Sequence, residues 1–301
     1  MRVVNFMKLF VIGNGFYLEH GLNTQYKDFK EYLISNYDVK CFIQPPTYHD
    51  ESLSIEEAAN FIYSVIDSAA CDENWSDLEE SLGRLDYSEW INHIDFALSS
   101  KSIFEIIRNN QENVYYYSSL IEKLQELISE WLEYACNNSI NVKNKYTELF
   151  SNDSLFLTFN YTDTLEKLYH IPEQNICHIH GMIYQDLIIG HGDKNSKFSN
   201  ESTIGVDEEI NSIHKFLYKN TNKIIKNNKT FFDKLSNIDE IYFIGWSFSD
   251  IDIEYLNHII NILGNKKVVV HFTVYDSKDT DKISKMESKL SSLYYEVGKP
   301  I

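Results

Sequence analysis

The chain has 301 residues, of which 43% are hydrophobic, so it is long and apolar enough to fold around one large core or two small ones. Its formal net charge of −18 repels polyphosphates and disfavours bulk nucleic-acid binding. The sequence contains no secretory signal, no run of about 20 apolar residues and no CxxC pair among its four cysteines. These features predict a cytoplasmic protein that neither spans a membrane nor holds a structural metal.

The first predicted element is the mostly apolar run Met7–Gly13, typical of a strand buried on both faces of a parallel sheet. A turn with Gly13 and Gly15 follows, and residues 25–37 carry a helical stripe of apolar side chains. The turn matches neither GxGxxG nor GxxxxGK[ST], the two common phosphate-binding patterns. Alone, it predicts a strand-to-helix turn without identifying a ligand.

The next hundred residues are helical and poor in strand patterns. They predict an α-helical insertion over residues 45–150, which interrupts one Rossmann-like nucleotide-binding domain made of residues 1–44 and 151–301. Ser54 with Glu57, and Ser76 with Glu79, have the spacing of capping boxes. An alternative is that Glu79 reaches a ligand cleft.

Strand and helix patterns then alternate to the end of the chain, which predicts a doubly wound, mostly parallel α/β sheet. Residues 207–228 are predicted to be helical, and the basic stretch His214–Lys229 reads as a solvated helix face. Strands are predicted within residues 155–159, 175–181, 186–192, 238–245 and 266–276.

Four of the predicted strand ends carry glycine or polar clusters. Ligands of doubly wound sheets bind at the carboxyl ends of the strands, so these clusters predict one shared ligand site. The clusters are Gly13-Asn14-Gly15, Asn160-Tyr161-Thr162-Asp163, His178-Ile179-His180-Gly181 and Gly245-Trp246-Ser247.

Several of these motifs resemble the AbiH family of bacterial abortive-infection proteins. The matching segments are FVIGNGFYLEHGLNTQYKDF, NWSDLEESL, TFNYTDTLEKLY, HIHG with the later IIGHG, and IYFIGWSFSDIDIEYL. They occur in order from the N-terminus to about residue 256. The resemblance implies a role in phage defence.

At a greater distance, the same order is similar to sirtuin-like NAD-binding domains. That similarity implies a Rossmann-like fold that binds NAD, with Asn160 and His180 as the catalytic residues. His178, two residues earlier, would point to the same face if the strand stays regular, but His180 lies nearer the strand end and is preferred. His191 is a weaker candidate. The position two after Asn160 is Thr162 rather than an acidic residue, and the zinc-binding small domain is missing, which argues against protein deacetylation.

The predicted function is therefore binding of NAD and hydrolysis of its nicotinamide–ribose bond, without a metal. One alternative is a sensor that binds NAD or ADP-ribose without turnover. Another is a serine hydrolase that uses Ser247 with His258 or His271. The predicted partner is a small nucleotide. A second copy of the chain and a phage-derived trigger are further candidate partners. The predicted cofactor-binding residues are Gly13, Asn14, Gly15, Phe16, Gly21, Thr158, Asp163, Gly245 and Ser247. The Gly13 and Gly15 turn would offer backbone N–H groups to the phosphates, and the Phe16 ring would pack against a base or the nicotinamide.

Overall fold

Six parallel strands form a single sheet in the computed structural model of the chain. The structure describes residues 6–39, 53–68, 79, 82, 83, 85, 102–136, 140–192, 205–273 and 280–301. The strands are β1 (Lys8–Ile12), β2 (Leu155–Thr158), β3 (Ile176–His178), β4 (Glu240–Ile244), β5 (Val268–Phe272) and β6 (Tyr295–Val297).

The strands follow the order β3-β2-β1-β4-β5-β6 across the sheet, which is the order of the Rossmann dinucleotide-binding fold. The predicted α/β class and the mostly parallel sheet are therefore confirmed. The chain order reverses between β1 and β4, which are direct neighbours paired from Lys8 with Glu240 to Ile12 with Ile244. Ligands bind outside the carboxyl ends of the strands near such a reversal.

Alternating side chains of β1 show why the sheet is buried on both faces. Leu9 and Val11 pack into one hydrophobic cluster, while Phe10 and Ile12 pack into a second cluster on the opposite face. Successive strand residues point to opposite faces, so a strand covered on both sides reads as a continuous apolar run. This is the pattern seen in the sequence.

Helices make up the described elements between β1 and β2, as the predicted insertion requires. They are α1 (Asn14–Glu19), α2 (Tyr26–Asn36), α3 (Ile55–Ser68), α4 (Ile103–Glu122), α5 (Leu124–Cys136) and α6 (Asn144–Leu149). Ser54 and Glu57 form the predicted capping box before α3. Ser76 lies outside the described residues.

The remaining helices alternate with the later strands. They are α7 (Thr164–Tyr169), α8 (Asp207–Phe216), α9 (Thr221–Asn227), α10 (Lys229–Phe232), α11 (Ile253–Leu263) and α12 (Thr280–Lys289), with 3₁₀ turns at Glu173–Asn175 and Asp233–Asn237.

One predicted strand is wrong, and one predicted helical segment forms two helices. Residues 186–192 do not form a strand, because their backbone bonds to loops instead: Ile188 N–H donates to His180 O and His191 N–H to Leu217 O. The segment 207–228 is helical as predicted, but it divides into α8 and α9. The Asn220 side chain accepts from Lys223 N–H and starts a new helix at that point.

The chain divides into two compact units. The first comprises Met1–Thr24, Leu132–Ile188 and Asn220–Ile301 and contains the sheet. The second comprises Gln25–Trp131 and Ile189–Lys219 and is helical in its described elements. The predicted insertion boundaries at residues 45 and 150 stay a prediction.

Candidate functional site at the carboxyl edge of the sheet

The four polar clusters predicted from the sequence follow four neighbouring strands. Register aligns Ile12 of β1 with Thr158 of β2 and Ile244 of β4, and Thr158 in turn with His178 of β3. Because all four strands are parallel and end at the same level, the residues that follow them lie along one edge of the first unit.

The glycines of the β1 and β4 turns pack directly against each other. A Cβ on Gly13 would lie 2.5 Å from Gly245 O, and one on Gly15 would lie 2.8 Å from Gly245 Cα. Gly13 N–H donates to Ile244 O at 3.0 Å, and Gly15 N–H donates to Gly245 O at 2.9 Å. These contacts require glycine, and they occupy the two amide groups that the sequence suggested for a phosphate.

Substitution of Gly245 tests this packing. Gly245 has φ +61° and its Cβ would lie 2.5 Å from Phe16 N, so alanine meets both backbone strain and a rigid neighbour. We expect Gly245→Ala to lower the free energy of unfolding by about 2–4 kcal/mol, measured by urea denaturation. Gly264→Ala is the control, since Gly264 has φ +54° but no atom near its Cβ, and we expect a loss of about 1–2 kcal/mol there. Equal losses for the two variants would contradict the interlocking of the turns.

A hydrogen-bonded amide network joins the β1 and β2 ends. Asn14 Nδ2 donates to Thr24 O at 2.7 Å, and Asn14 Oδ1 accepts from Thr24 Oγ1 at 2.6 Å and from Asn160 Nδ2 at 3.0 Å. Asn160 Oδ1 also accepts from Thr162 N–H at 3.2 Å. An amide side chain has two N–H donors and two acceptor lone pairs, and the hydrogen bonds among the described residues use one of each on Asn160.

Thr158 fixes the backbone from which Asn160 projects. Its hydroxyl shares a 2.6 Å hydrogen bond with Tyr17 OH and accepts from Asn160 N–H at 3.2 Å. Burial raises the pKa of Tyr17, so its phenol stays protonated. The predicted ligand residue Thr158 is fully buried and supports Asn160 from beneath.

The two histidines after Cys177 separate, because β3 ends at His178. His178 Nε2 lies 2.8 Å from Glu166 Oε1 on α7, and its Nδ1 lies 3.3 Å from Asn160 O. His180 is buried, and its Nε2 lies 3.3 Å from Asp252 Oδ1. The sequence suggested that both rings might share one face, but the strand end directs them to different carboxylates.

Aromatic rings surround the His180 imidazole. Phe159 and Tyr255 lie 5.5 and 5.7 Å from it, centroid to centroid, and Phe159 stacks on Trp246 at 5.0 Å. Among the described residues, no acceptor lies within hydrogen-bonding distance of the buried Trp246 Nε1. The imidazole and its carboxylate therefore lie in apolar surroundings, where charge interactions are strong.

The other predicted ligand residues differ in accessibility. Phe16 is fully buried among core aromatics, so its predicted stacking on a ligand ring gains no support. Asp163 forms a 2.9 Å ion pair with Lys167, and Ser247 is exposed. Gly21 has φ +86°, and no described atom lies within 4 Å of a Cβ built on it, which fits a turn.

Glu79 and His191 belong to the second unit. Glu79 forms a buried ion pair with Lys219, and the His191 ring lies 4.3 Å from that of His214. The sequence suggested that the stretch His214–Lys229 forms a solvated helix face, but Lys219 is buried. The reason is a backbone pairing, in which Lys219 N–H donates to His191 O and turns the chain inward.

Sequence reasoning missed Asp252 as the partner of His180. An aspartate at a helix start usually caps the helix or complements its dipole, and the sequence alone predicts that role for Asp250 and Asp252. In the structure Asp252 is the N-cap residue of α11, but its carboxylate makes no cap hydrogen bond. The sequence shows two aspartates, Asp250 and Asp252, before this helix. Only the structure shows which of them lies beside His180.

The serine-hydrolase alternative finds no support in the described contacts. The His258 ring packs 4.9 Å from Phe232, and His271 stacks on Tyr242 at 4.2 Å with its Nδ1 3.0 Å from Lys299 O. Burial lowers the pKa of His258.

Burial also raises the pKa of Cys177 to about 12, so this thiol is a poor nucleophile.

Residues 9–274 match the family model described as "Bacteriophage abortive infection AbiH". No curated protein and no solved structure is significantly similar to the chain. Among the helices that the structure describes, none has the length and apolar character needed to cross a bilayer. Within the same residues, no three His, Cys, Asp or Glu side chains group as metal ligands.

Proposed function

Since the chain belongs to the AbiH family of bacteriophage abortive infection proteins, we propose that the carboxyl edge of its sheet is the effector site, which binds NAD and hydrolyses its nicotinamide–ribose bond. The observation that carries the proposal is the placement of Asn160 and His180 at the ends of the neighbouring strands β2 and β3. The strand order of the sheet is that of dinucleotide-binding folds, which supports a nucleotide as the ligand.

The reaction needs positioning more than covalent chemistry. The bond from ribose C1′ to the pyridinium nitrogen breaks, and its electron pair neutralises the leaving nicotinamide. A water oxygen attacks C1′ and gives up one proton, so the products are ADP-ribose, nicotinamide and a proton. The transition state resembles that of glycoside cleavage, with positive charge on the ribose.

His180 is the group that accepts the proton in this scheme. An imidazole changes charge near neutral pH, and the His180 ring lies at the strand end rather than inside the strand. Among the described residues the Asn160 amide uses one N–H and one lone pair, and its second N–H and second lone pair would suit a ribose hydroxyl or the attacking water. The hydrogen bonds to Asn14 and Thr162 hold the amide in place before a substrate arrives.

The pyrophosphate needs other contacts than those first expected. Gly13 and Gly15 N–H groups already donate to the β4 turn, so they do not hold phosphate in this conformation. Ser247, directly after the β4 turn, is an exposed predicted ligand residue, and its hydroxyl would supply one such contact. Gly13 and Gly245 then act by shaping the turns.

Incubation of the purified protein with NAD tests the proposal. We expect chromatography to show nicotinamide and ADP-ribose appearing in equal amounts, with a rate about ten- to a hundredfold lower for Asn160→Ala. Asn175→Ala is the matched control, because its amide donates to Asn152 O at the exposed end of the first unit. Binding of NAD measured by calorimetry, without any product, would favour the sensor alternative. The absence of both NAD binding and NAD turnover would reject the proposed site.

A further inference from the structure

The hydrogen-bond ladder between β2 and β3 ends just before the Asn160 carbonyl. Thr158 pairs with His178, and Ile179 N–H donates to Thr158 O at 3.1 Å. In a regular parallel ladder the next donor would be Gly181 N–H, and its acceptor would be Asn160 O. Gly181 N–H instead donates to His178 O at 3.1 Å, so the Asn160 carbonyl needs a different donor.

The His178 imidazole supplies that donor. Its Nδ1 lies 3.3 Å from Asn160 O, and a carbonyl oxygen can only accept, so Nδ1–H is the donating group. Only 6% of Asn160 is exposed, and buried carbonyl groups are normally hydrogen-bonded. A side chain of β3 therefore replaces a backbone amide in attaching the end of β2 to its neighbour.

Glu166 binds the opposite side of the same ring. Its Oε1 lies 2.8 Å from His178 Nε2, and it belongs to the first turn of α7, the helix that follows the Asn160 turn. A carboxylate accepts hydrogen bonds, so it engages the second ring nitrogen. Both nitrogens of His178 are thus used in contacts with the chain, which suits an anchor better than a proton acceptor.

We infer that His178 and Glu166 are positioning residues for Asn160: Glu166 orients the imidazole, and the imidazole fixes the carbonyl of the turn that carries the Asn160 amide. The amide itself is hydrogen-bonded to Asn14 and Thr162, so the backbone contact adds a second constraint on the same residue. The catalytic consequence rests on the proposed NAD hydrolysis. The anchoring of the turn does not depend on it.

Two substitutions of His178 distinguish its ring nitrogens. An asparagine amide nitrogen can occupy the place of Nδ1, and a glutamine amide nitrogen can occupy the place of Nε2, because the side-chain lengths match. His178→Asn should therefore keep the hydrogen bond to the Asn160 carbonyl, and His178→Gln should lose it. Both variants lose the imidazole, so each controls for the general effects of its removal.

The carbonyl signal of Asn160 reports the hydrogen bond directly. The sequence contains two Asn–Tyr pairs, Asn36–Tyr37 and Asn160–Tyr161, so labelling Asn carbonyls with ¹³C and Tyr amides with ¹⁵N gives two peaks in a carbonyl–amide correlation spectrum. We expect the Asn160 carbonyl of His178→Gln to lie upfield of its position in His178→Asn, with the Asn36 carbonyl unchanged. The same Asn160 position in both variants would overturn the inference.

Variants of Glu166 cover the case in which the His178 variants do not fold. Glu166→Gln keeps an acceptor oxygen for Nε2 and Glu166→Leu removes it, so only the leucine variant should move the Asn160 carbonyl upfield. Glu173→Leu is the control, since Glu173 is exposed on the turn before β3, and it should leave the signal unchanged. A wild-type signal in Glu166→Leu would overturn the role of Glu166.

Kinetics separate this inference from the proposed function. For an active wild type, His178→Gln should lower kcat about three- to thirtyfold, since a small misplacement of a catalytic group is costly, whereas His178→Asn should retain most of the rate. His178→Gln should cause no further loss in Asn160→Ala, because it acts through Asn160. Additive losses would overturn the positioning role. The expected carbonyl shift in a chain that never consumes NAD would instead reject the proposed function and keep the anchoring of the turn.

Discussion

Lys219→Ala is expected to lower the free energy of unfolding by about 3–5 kcal/mol, because it leaves the Glu79 carboxylate buried without its partner. The Lys219 side chain is wholly buried and that of Glu79 is 3% exposed, so water cannot replace the lost ammonium group. A loss of this size is a large part of the total stability of a typical domain, about 5–15 kcal/mol. Urea unfolding followed by circular dichroism measures it.

Two further variants distinguish the buried charge from ordinary packing. Arg108→Ala removes one partner of the exposed pair with Glu112 on α4 and is expected to cost no more than about 0.5 kcal/mol. The double variant Glu79→Leu with Lys219→Met replaces both charges by apolar groups and is expected to recover most of the stability. A double variant as unstable as Lys219→Ala would show that shape, not charge, sets the cost.

His180→Ala is expected to slow NAD hydrolysis by about 10²–10⁴-fold, the usual contribution of a general base. The ring lies on a loop beyond the end of β3, so its removal should leave β3 and its pairing with β2 intact. NAD binding measured by calorimetry should change little, because the loss falls on the chemical step. Release of nicotinamide under saturating NAD gives the rate.

His258→Ala is the control for this experiment. Its ring packs on Phe232 rather than on the strand-end clusters, so we expect nearly wild-type hydrolysis. A larger loss of hydrolysis rate for His258→Ala than for His180→Ala would indicate that the general base lies on α11. That result would contradict the proposed site. Labelling of Ser247 by a fluorophosphonate would then be the next measurement for the serine-hydrolase alternative.

The sheet could be predicted because its strands are short apolar runs that end in glycine or polar residues. β1 and β4 show this pattern. Ligands of parallel sheets bind at the carboxyl ends of the strands, so the turns after β1 and β4 could be predicted to lie at one site. β6 (Tyr295–Val297) was missed, since it has three residues and two of them are exposed at the edge. Residues 186–192 gave a false strand because apolar residues buried in a loop have the same composition as a strand.

The partners of the site residues could be predicted only in part. Asn160 and His180 occupy strand ends, and their position follows from topology. Their hydrogen bonds depend on where each turn places a side chain, which no local pattern encodes: Asp252 rather than Asp250 reaches His180. The pairing of Lys219 with Glu79 is similarly hidden, because its two members are distant in the sequence.

The contact between the β1 and β4 turns also limits how this protein can diverge. With Gly13 and Gly15 pressed against Gly245, neither turn can accept a side chain unless the other withdraws. A chimera that takes one turn from a divergent relative should therefore fold only when it takes the other turn as well. Evolution and protein engineering would have to treat the two turns as one exchangeable piece.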